Sequence, residues 1–168
     1  MPVVRSGRAD RASGAREVNM PTAIHRQVEA ARQGALARTI ARMQSGWAVL
    51  GDPQITRGYC LLLPDPVVTD LNALTGDRRR QFLDDMARLG DAVILVTGAE
   101  RINYEILGNV EPALHAHVHP RYADEPVQMR TANPWGYDWQ QAPAFDAALH
   151  APMRDLIRQH LARLAQPL

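Results

Sequence analysis

The chain has 168 residues, 46% of them hydrophobic and 22% charged, with a formal net charge of +1. That is enough chain for one domain with its own core, and the balanced charge gives no reason to expect a nucleic acid or an acidic membrane as partner. All 19 basic side chains are arginine, which excludes a Schiff-base lysine and the phosphate loop that ends Gly-Lys-Ser/Thr.

Other absences narrow the chemistry further. Serine occurs only at Ser6, Ser13 and Ser45, none within a Gly-x-Ser-x-Gly turn, so a serine hydrolase is not expected. No apolar run approaches the roughly 18 residues of a membrane span, and the first residues lack the apolar core of a signal peptide. Cys60 is the single cysteine; it lies in the apolar run Tyr59-Cys60-Leu61-Leu62-Leu63 and reads as a buried, inert thiol. Together these features lead us to expect a cytoplasmic protein.

Residues 1–18 are polar and aperiodic and read as a disordered N-terminal extension, or as the product of a start codon placed too early. Residues 19–168 are expected to form a single domain. A helix is expected from Pro21 to Met43, where Ile24, Val28, Ala31, Ala35, Ile40 and Met43 recur near helical spacing. Trp47–Leu50 reads as a strand, Gly51-Asp52-Pro53 as a turn, and Gly58–Leu63 as a second strand ending at Pro64. Asp77–Thr97 reads as the main helix: Thr75 is its candidate cap, Phe82, Met86, Leu89, Val93 and Val96 its buried stripe, and Gly98 its stop. Arg78-Arg79-Arg80 near its start reads as a solvated face. A strand over Ile102–Leu107 precedes a polar turn. A last helix is expected from about Pro152, carrying Leu156, Ile157, Leu161 and Leu164. Strands on both sides of a central helix, joined by short turns, predict an α+β domain with a mostly antiparallel sheet.

The most informative segment is Leu114-His115-Ala116-His117-Val118-His119-Pro120-Arg121. Three of the six histidines sit there at alternate positions. In an extended strand they share one face, about 7 Å apart. Neutral imidazole near pH 7 is a nucleophile, a general base or a metal ligand. His25, His150 and His160 stand singly on expected helices or their edges and carry no assigned chemistry.

The alternation of histidine with apolar residues, followed by Pro-Arg and preceded by Asn103-Tyr104-Glu105-Ile106-Leu107-Gly108-Asn109 and Pro112, resembles the histidine triad (HIT) superfamily of nucleotide hydrolases and transferases. The resemblance covers roughly residues 45–125. It implies a HIT-like fold with flanking helices, a nucleotide substrate, no cofactor and a homodimer.

Two registers fit the run. The family's three positions fall on Ala113, His115 and His117, or on His115, His117 and His119. The family's Pro-Arg follows its third histidine by three and four residues; Pro120-Arg121 stands so after His117, which fits the first register. There the resemblance makes His115 the nucleophile that attacks the α-phosphorus to form a nucleotidyl-histidine. His117 contacts the phosphate or protonates the leaving oxygen. The carbonyl of Ala113 is positioned to orient His115 whatever its side chain. The resemblance further implies substrate contacts from Asn109 and Asn103. Asp52 is a candidate for ribose hydroxyls, Arg121 for phosphate charge, and His119 for the rim of the site. Each has a plainer reading: turn residues for Asp52 and Asn109, packing for His119, a structural ion pair for Arg121. Tyr59 stands where relatives often carry histidine after glycine. Trp135, Tyr137 and Trp139 form an aromatic cluster suited to covering a base or, more simply, to packing on a partner helix.

The resulting expectation is an enzyme that cleaves a phosphoanhydride or phosphoramidate, with diadenosine polyphosphates and nucleoside phosphoramidates as candidate substrates. Two alternatives stand beside it. One is a nucleotide-binding protein without turnover, suggested by Ala113 in place of the first histidine. The other is a metal-binding protein using the His-x-His-x-His strand with Glu111 or Asp124.

Overall fold

The computed structural model describes residues 21–164, so the expected extension of residues 1–18 lies outside the described residues. Strands β1 (Thr39–Arg42), β2 (Gly46–Leu50), β3 (Cys60–Pro64), β4 (Arg101–Glu105) and β5 (Ala116–Arg121) form one sheet in the order β1-β2-β3-β5-β4. All four pairings are antiparallel. Helix α1 is Ala23–Arg32, α2 is Gly76–Thr97 and α3 is Ala147–Leu164. The α+β architecture with an antiparallel sheet is therefore the one the sequence predicts.

Strand parity divides the sheet into two faces. Ala48, Leu50, Cys60, Leu62, Ala116 and Val118 point to one side and pack with Phe82, Leu89 and Val93 of α2 and Ile157 and Leu161 of α3. Val49, Leu61, Leu63 and Tyr59 belong to a second cluster, with Ile24 and Val28 of α1 and Ala113. Because β5 alternates, its histidines fall on this second face. Each fully buried Phe, Leu or Val contributes about 1.5–3 kcal/mol, so parity on both sides of β5 is firmly held and a one-residue slip would exchange the histidines for the core.

Helix α2 begins and ends where its sequence indicates. Thr75 is the N-cap residue, although its side chain makes no capping bond, and Gly98 closes the helix in the left-handed conformation at φ 70°. Asp85, fully buried, accepts from the backbone N–H and hydroxyl of Ser45, both at 2.7 Å, which ties the β1–β2 turn to α2. Gly90 is also required: a Cβ there would lie 2.0 Å from the Tyr104 hydroxyl of β4.

Two expected boundaries are corrected. The single helix over Pro21–Met43 is instead α1 followed by β1. Gly34, at φ 68°, turns the chain away from the helix, and residues 39–42 pair with β2. Ile40 and Met43 are buried, as their helical spacing suggested, but they reach the core from a strand and its turn. The last helix starts one turn before Pro152. Asp146 Oδ1 accepts from the Leu149 N–H at 3.0 Å, a capping bond that sets the start at Ala147 and places Pro152 inside the helix. No described helix is long and apolar enough to cross a membrane.

Candidate active site at the histidine strand

The chain reaches β5 through an anchored approach. Leu114 N–H donates to Val68 O at 2.8 Å, and Glu111 accepts from the N–H groups of Ala23 and Ala113 at 3.0 and 3.2 Å. His115 therefore stands immediately before the strand, and His117 and His119 stand within it. The three rings are closer than an ideal strand would place them. His115 and His117 meet edge to face with centroids 4.8 Å apart, and His117 and His119 stack at 5.6 Å.

His115 Nδ1 lies 2.8 Å from the Ala113 carbonyl. A carbonyl only accepts, so Nδ1 carries a proton, and in the neutral ring the lone pair is on Nε2. His117 Nδ1 lies 2.6 Å from the Tyr59 hydroxyl. Burial, and then the charge His115 can carry, push His117 down to about 4, so it is neutral near pH 7. His119 has no solvent exposure and neither ring nitrogen is hydrogen-bonded. Its ring lies flat against Tyr59 at 4.4 Å. Burial, followed by His117 and Arg121, push it down to about 3. Such a ring is a packing element that stays uncharged.

His115 and His117 open onto a cleft of about 410 Å³ lined by Leu107, Gly108, Asn109, Val110, Glu111 and Trp135. Trp135 presents its ring edge-on to His117 at 5.3 Å and stacks on Trp139 at 4.5 Å. Its indole N–H donates to Glu105 Oε2 at 2.5 Å, and Asn133 Nδ2 donates to Oε1 of the same carboxylate.

Solved structures with a similar fold give this arrangement its context. A histidine triad protein from Sinorhizobium meliloti 1021 is 22% identical, with a TM-score of 0.63 over 73% of this chain and 87% of that one. One from Marinobacter aquaeolei VT8 is 19% identical, with a TM-score of 0.65 over 79% and 96%. A hypothetical histidine triad nucleotide-binding protein from Sulfolobus tokodaii strain7 is 12% identical, with a TM-score of 0.65 over 83% and 93%. This chain has the histidine triad fold. No family model and no curated protein matches its sequence.

Within the histidine triad fold, the cleft brings together three of the seven residues given catalytic or substrate-contact roles from sequence: His115, His117 and Asn109. The other four stand elsewhere. Arg121 is buried and committed to Glu125, with Nε to Oε1 at 3.0 Å and Nη2 to Oε2 at 2.8 Å, and it also donates to the carbonyls of Met129 and Ala132. Asn103 Oδ1 accepts from Arg121 Nη1 at 2.5 Å. Both residues brace the loop that carries Trp135 and neither lines the cleft; for Arg121 this is the structural ion pair that the sequence also offered. Asp52 Oδ1 accepts from the Phe145 N–H at 2.9 Å and fastens the segment before α3. His119 is stacked on Tyr59 and does not line the cleft.

For Trp135 the sequence leaves open covering a base and packing on a partner helix; in the structure it is a wall of the cleft. Glu105 went unnoticed, because a single carboxylate on a strand carries no motif. Among the described residues no group of three or more His, Cys, Asp or Glu side chains is arranged to hold a metal ion. The bonds at His115 Nδ1 and His117 Nδ1, and the seclusion of His119, spread the three rings over different partners instead of one centre.

Proposed function

We propose that this protein binds a nucleotide and cleaves it at the α-phosphate, as a hydrolase or nucleotidyl transferase, with His115 as nucleophile. The observation that carries this reading is the 2.8 Å bond from His115 Nδ1 to the Ala113 carbonyl, which leaves Nε2 with its lone pair on a ring lining the cleft. In the reaction the Nε2 lone pair forms a bond to the α-phosphorus. The bond from phosphorus to the leaving oxygen or nitrogen breaks and its electron pair departs with that group: a phosphate leaves as its anion, and an amine leaves after its nitrogen takes a proton from solvent water. Water or another acceptor then displaces His115 and releases the nucleotide. One hard displacement becomes two easier ones. Asn109 is in place to meet phosphate oxygens. The name of the nucleotide-binding neighbour from Sulfolobus tokodaii supports the substrate class.

The bond uses the backbone of residue 113, so alanine there performs the orienting task that the family's first histidine would perform. His119, fully buried, stacked on Tyr59 and absent from the cleft lining, favours the register Ala113, His115, His117 over its alternative. The decisive assay is incubation with diadenosine tetraphosphate and with adenosine 5′-phosphoramidate, followed by detection of AMP. The attacking group is the imidazole itself, so release of AMP should persist in the presence of a chelator. Which of the two substrates is preferred distinguishes a dinucleoside polyphosphate hydrolase from a nucleoside phosphoramidase.

Ala113 also favours a second reading, nucleotide binding without turnover, since it removes a polar group from beside the phosphate. Saturable binding of AMP with no release from either substrate would establish it. We also propose a homodimer, because β4 is a sheet edge next to the exposed Leu107 and Val110. Light scattering near the 18.7 kDa chain mass would contradict it.

A further inference from the structure

The bond between Tyr59 and His117 decides what His117 is able to do. Tyr59 is 3% exposed. Its ring is stacked on the face of His119, parallel within 1° at 4.4 Å, and Trp139 stands perpendicular beside that stack, 5.8 Å from Tyr59 and 6.2 Å from His119. Gly51 opens the space it fills: a Cβ on residue 51 would lie 2.0 Å from the ring. The hydroxyl is therefore held in one place, 2.6 Å from His117 Nδ1, and among the described residues it has no other hydrogen-bond partner.

Two proton arrangements satisfy that distance. In one, His117 Nδ1–H donates to the Tyr59 oxygen and the phenolic hydrogen is left without an acceptor. A buried donor left unmatched costs about 1–3 kcal/mol. In the other, the hydroxyl donates to an unprotonated Nδ1 and nothing is left over. The second arrangement wins by that margin. A neutral ring that accepts at Nδ1 carries its hydrogen on Nε2.

We propose that Tyr59 is a positioning residue whose hydroxyl donates to His117 Nδ1, making His117 a neutral Nε2–H hydrogen-bond donor to a phosphoryl oxygen and not the proton donor to the leaving group. The two neighbouring histidines are then opposite tautomers. A carbonyl at His115 Nδ1 frees Nε2 for attack; a hydroxyl at His117 Nδ1 places a donor on Nε2. Were His117 to surrender its Nε2 proton, it would become an imidazolate, or it would take the phenol's proton and leave a buried tyrosinate. Burial raises the phenol well above its ordinary value, which opposes that transfer. His117 therefore keeps its proton and stabilises charge building on the phosphoryl group. This role for His117 rests on His115 as nucleophile; the tautomer itself does not.

The test begins with the unmodified protein. Long-range ¹⁵N–¹H correlation of the imidazoles, with His117 assigned by comparison with His117→Gln, should show an unprotonated Nδ1 and a protonated Nε2 near pH 7. Tyr59→Phe keeps the ring and removes the hydroxyl. It should turn His117 into a mixture of tautomers and lower kcat/KM for AMP release by roughly tenfold, the worth of one hydrogen bond. A protonated Nδ1 in the unmodified protein, or unchanged His117 nitrogens in Tyr59→Phe, overturns the proposal. So does full activity in Tyr59→Phe once the tautomers have mixed. If the unmodified protein releases no AMP while its spectra show the expected nitrogens, the tautomer assignment stands and the catalytic reading fails.

Discussion

The indole of Trp135 and the carboxylate of Glu105 are joined by a 2.5 Å hydrogen bond between residues thirty positions apart. The edge strand β4 thereby holds one wall of the cleft over His117. The same carboxylate lies 3.8 Å from His119 Nε2, so it touches both the loop and the histidine face.

Removing this tie should loosen the wall. Glu105→Ala takes away the acceptor of both Trp135 and Asn133. The site is partly exposed, so the stability cost should be modest, about 1 kcal/mol. We expect a red shift in tryptophan emission and faster amide exchange over residues 130–140. KM for a nucleotide substrate should rise more than kcat falls. An unchanged emission spectrum and KM would show that the loop is held without Glu105.

Arg121 and Glu125 should matter to stability more than to substrate. Their side chains are 8% and 7% exposed. Glu125 also accepts from the Tyr122 N–H at 2.7 Å and the Tyr137 hydroxyl at 2.7 Å. Removing one member of a buried pair leaves the other uncompensated, at about 3–5 kcal/mol. Arg121→Ala should lower the urea midpoint accordingly, and Arg121→Lys should recover only part of the loss because an ammonium cannot reproduce the fork. An Arg121→Ala variant of normal stability with a raised KM would return Arg121 to the substrate site.

Stability should fall in mild acid. His117 is pushed down to about 4 and His119 to about 3. In the unfolded chain both titrate near 6.5. Between these values the unfolded state binds more protons, so unfolding free energy rises with pH. The stabilisation is complete above about pH 6.5 and is lost as pH falls toward 4 and then 3, at up to about 1.4 kcal/mol per pH unit for each histidine. Urea midpoints measured from pH 7.5 to 4 should show this slope. The slope should be shallower in His119→Gln; an identical profile in that variant would contradict the burial argument.

The three strand histidines should separate by role. His115→Ala removes the attacking nitrogen and should abolish both turnover and the trapped nucleotidyl-enzyme. His117→Ala should slow turnover by about 10²–10³-fold, the cost typical of losing one donor to a developing oxyanion, while an adduct on His115 remains detectable by mass spectrometry. His119→Ala should lower stability more than it lowers kcat. An adduct on His117, or loss of turnover in a stably folded His119→Ala, would support the alternative register.

Sequence alone locates the histidine strand and the face its histidines use. Alternation of His117 and His119 with Val118 and Pro120 is enough, because a pleated strand sends alternate residues to opposite sides and the apolar set must go inward. It also points to α2: the apolar run Ala92–Val96 could by itself be a strand, but the helical stripe continues through it to the stop at Gly98. Residues 35–43 fit a helix in sequence and yet leave it in the structure, because Ile40 and Met43 satisfy helical spacing as well as a strand and its turn. Pairing with β2 decided between the two, and pairing is not local.

The site divides along the same line. Backbone orientation of His115 by Ala113 was legible, since both residues lie two apart in one segment. For Arg121 the sequence leaves a phosphate contact and an ion pair both open, and for Asp52 a ribose contact and a turn; folding decides, by bringing Glu125 and the loop carbonyls to Arg121, Arg121 to Asn103, and Phe145 to Asp52. A guanidinium or carboxylate has the same chemistry in a cleft and in a brace. Only the tertiary structure fixes which donor or acceptor reaches it first, and it did so too for Tyr59, whose hydroxyl meets His117 from fifty-eight residues away.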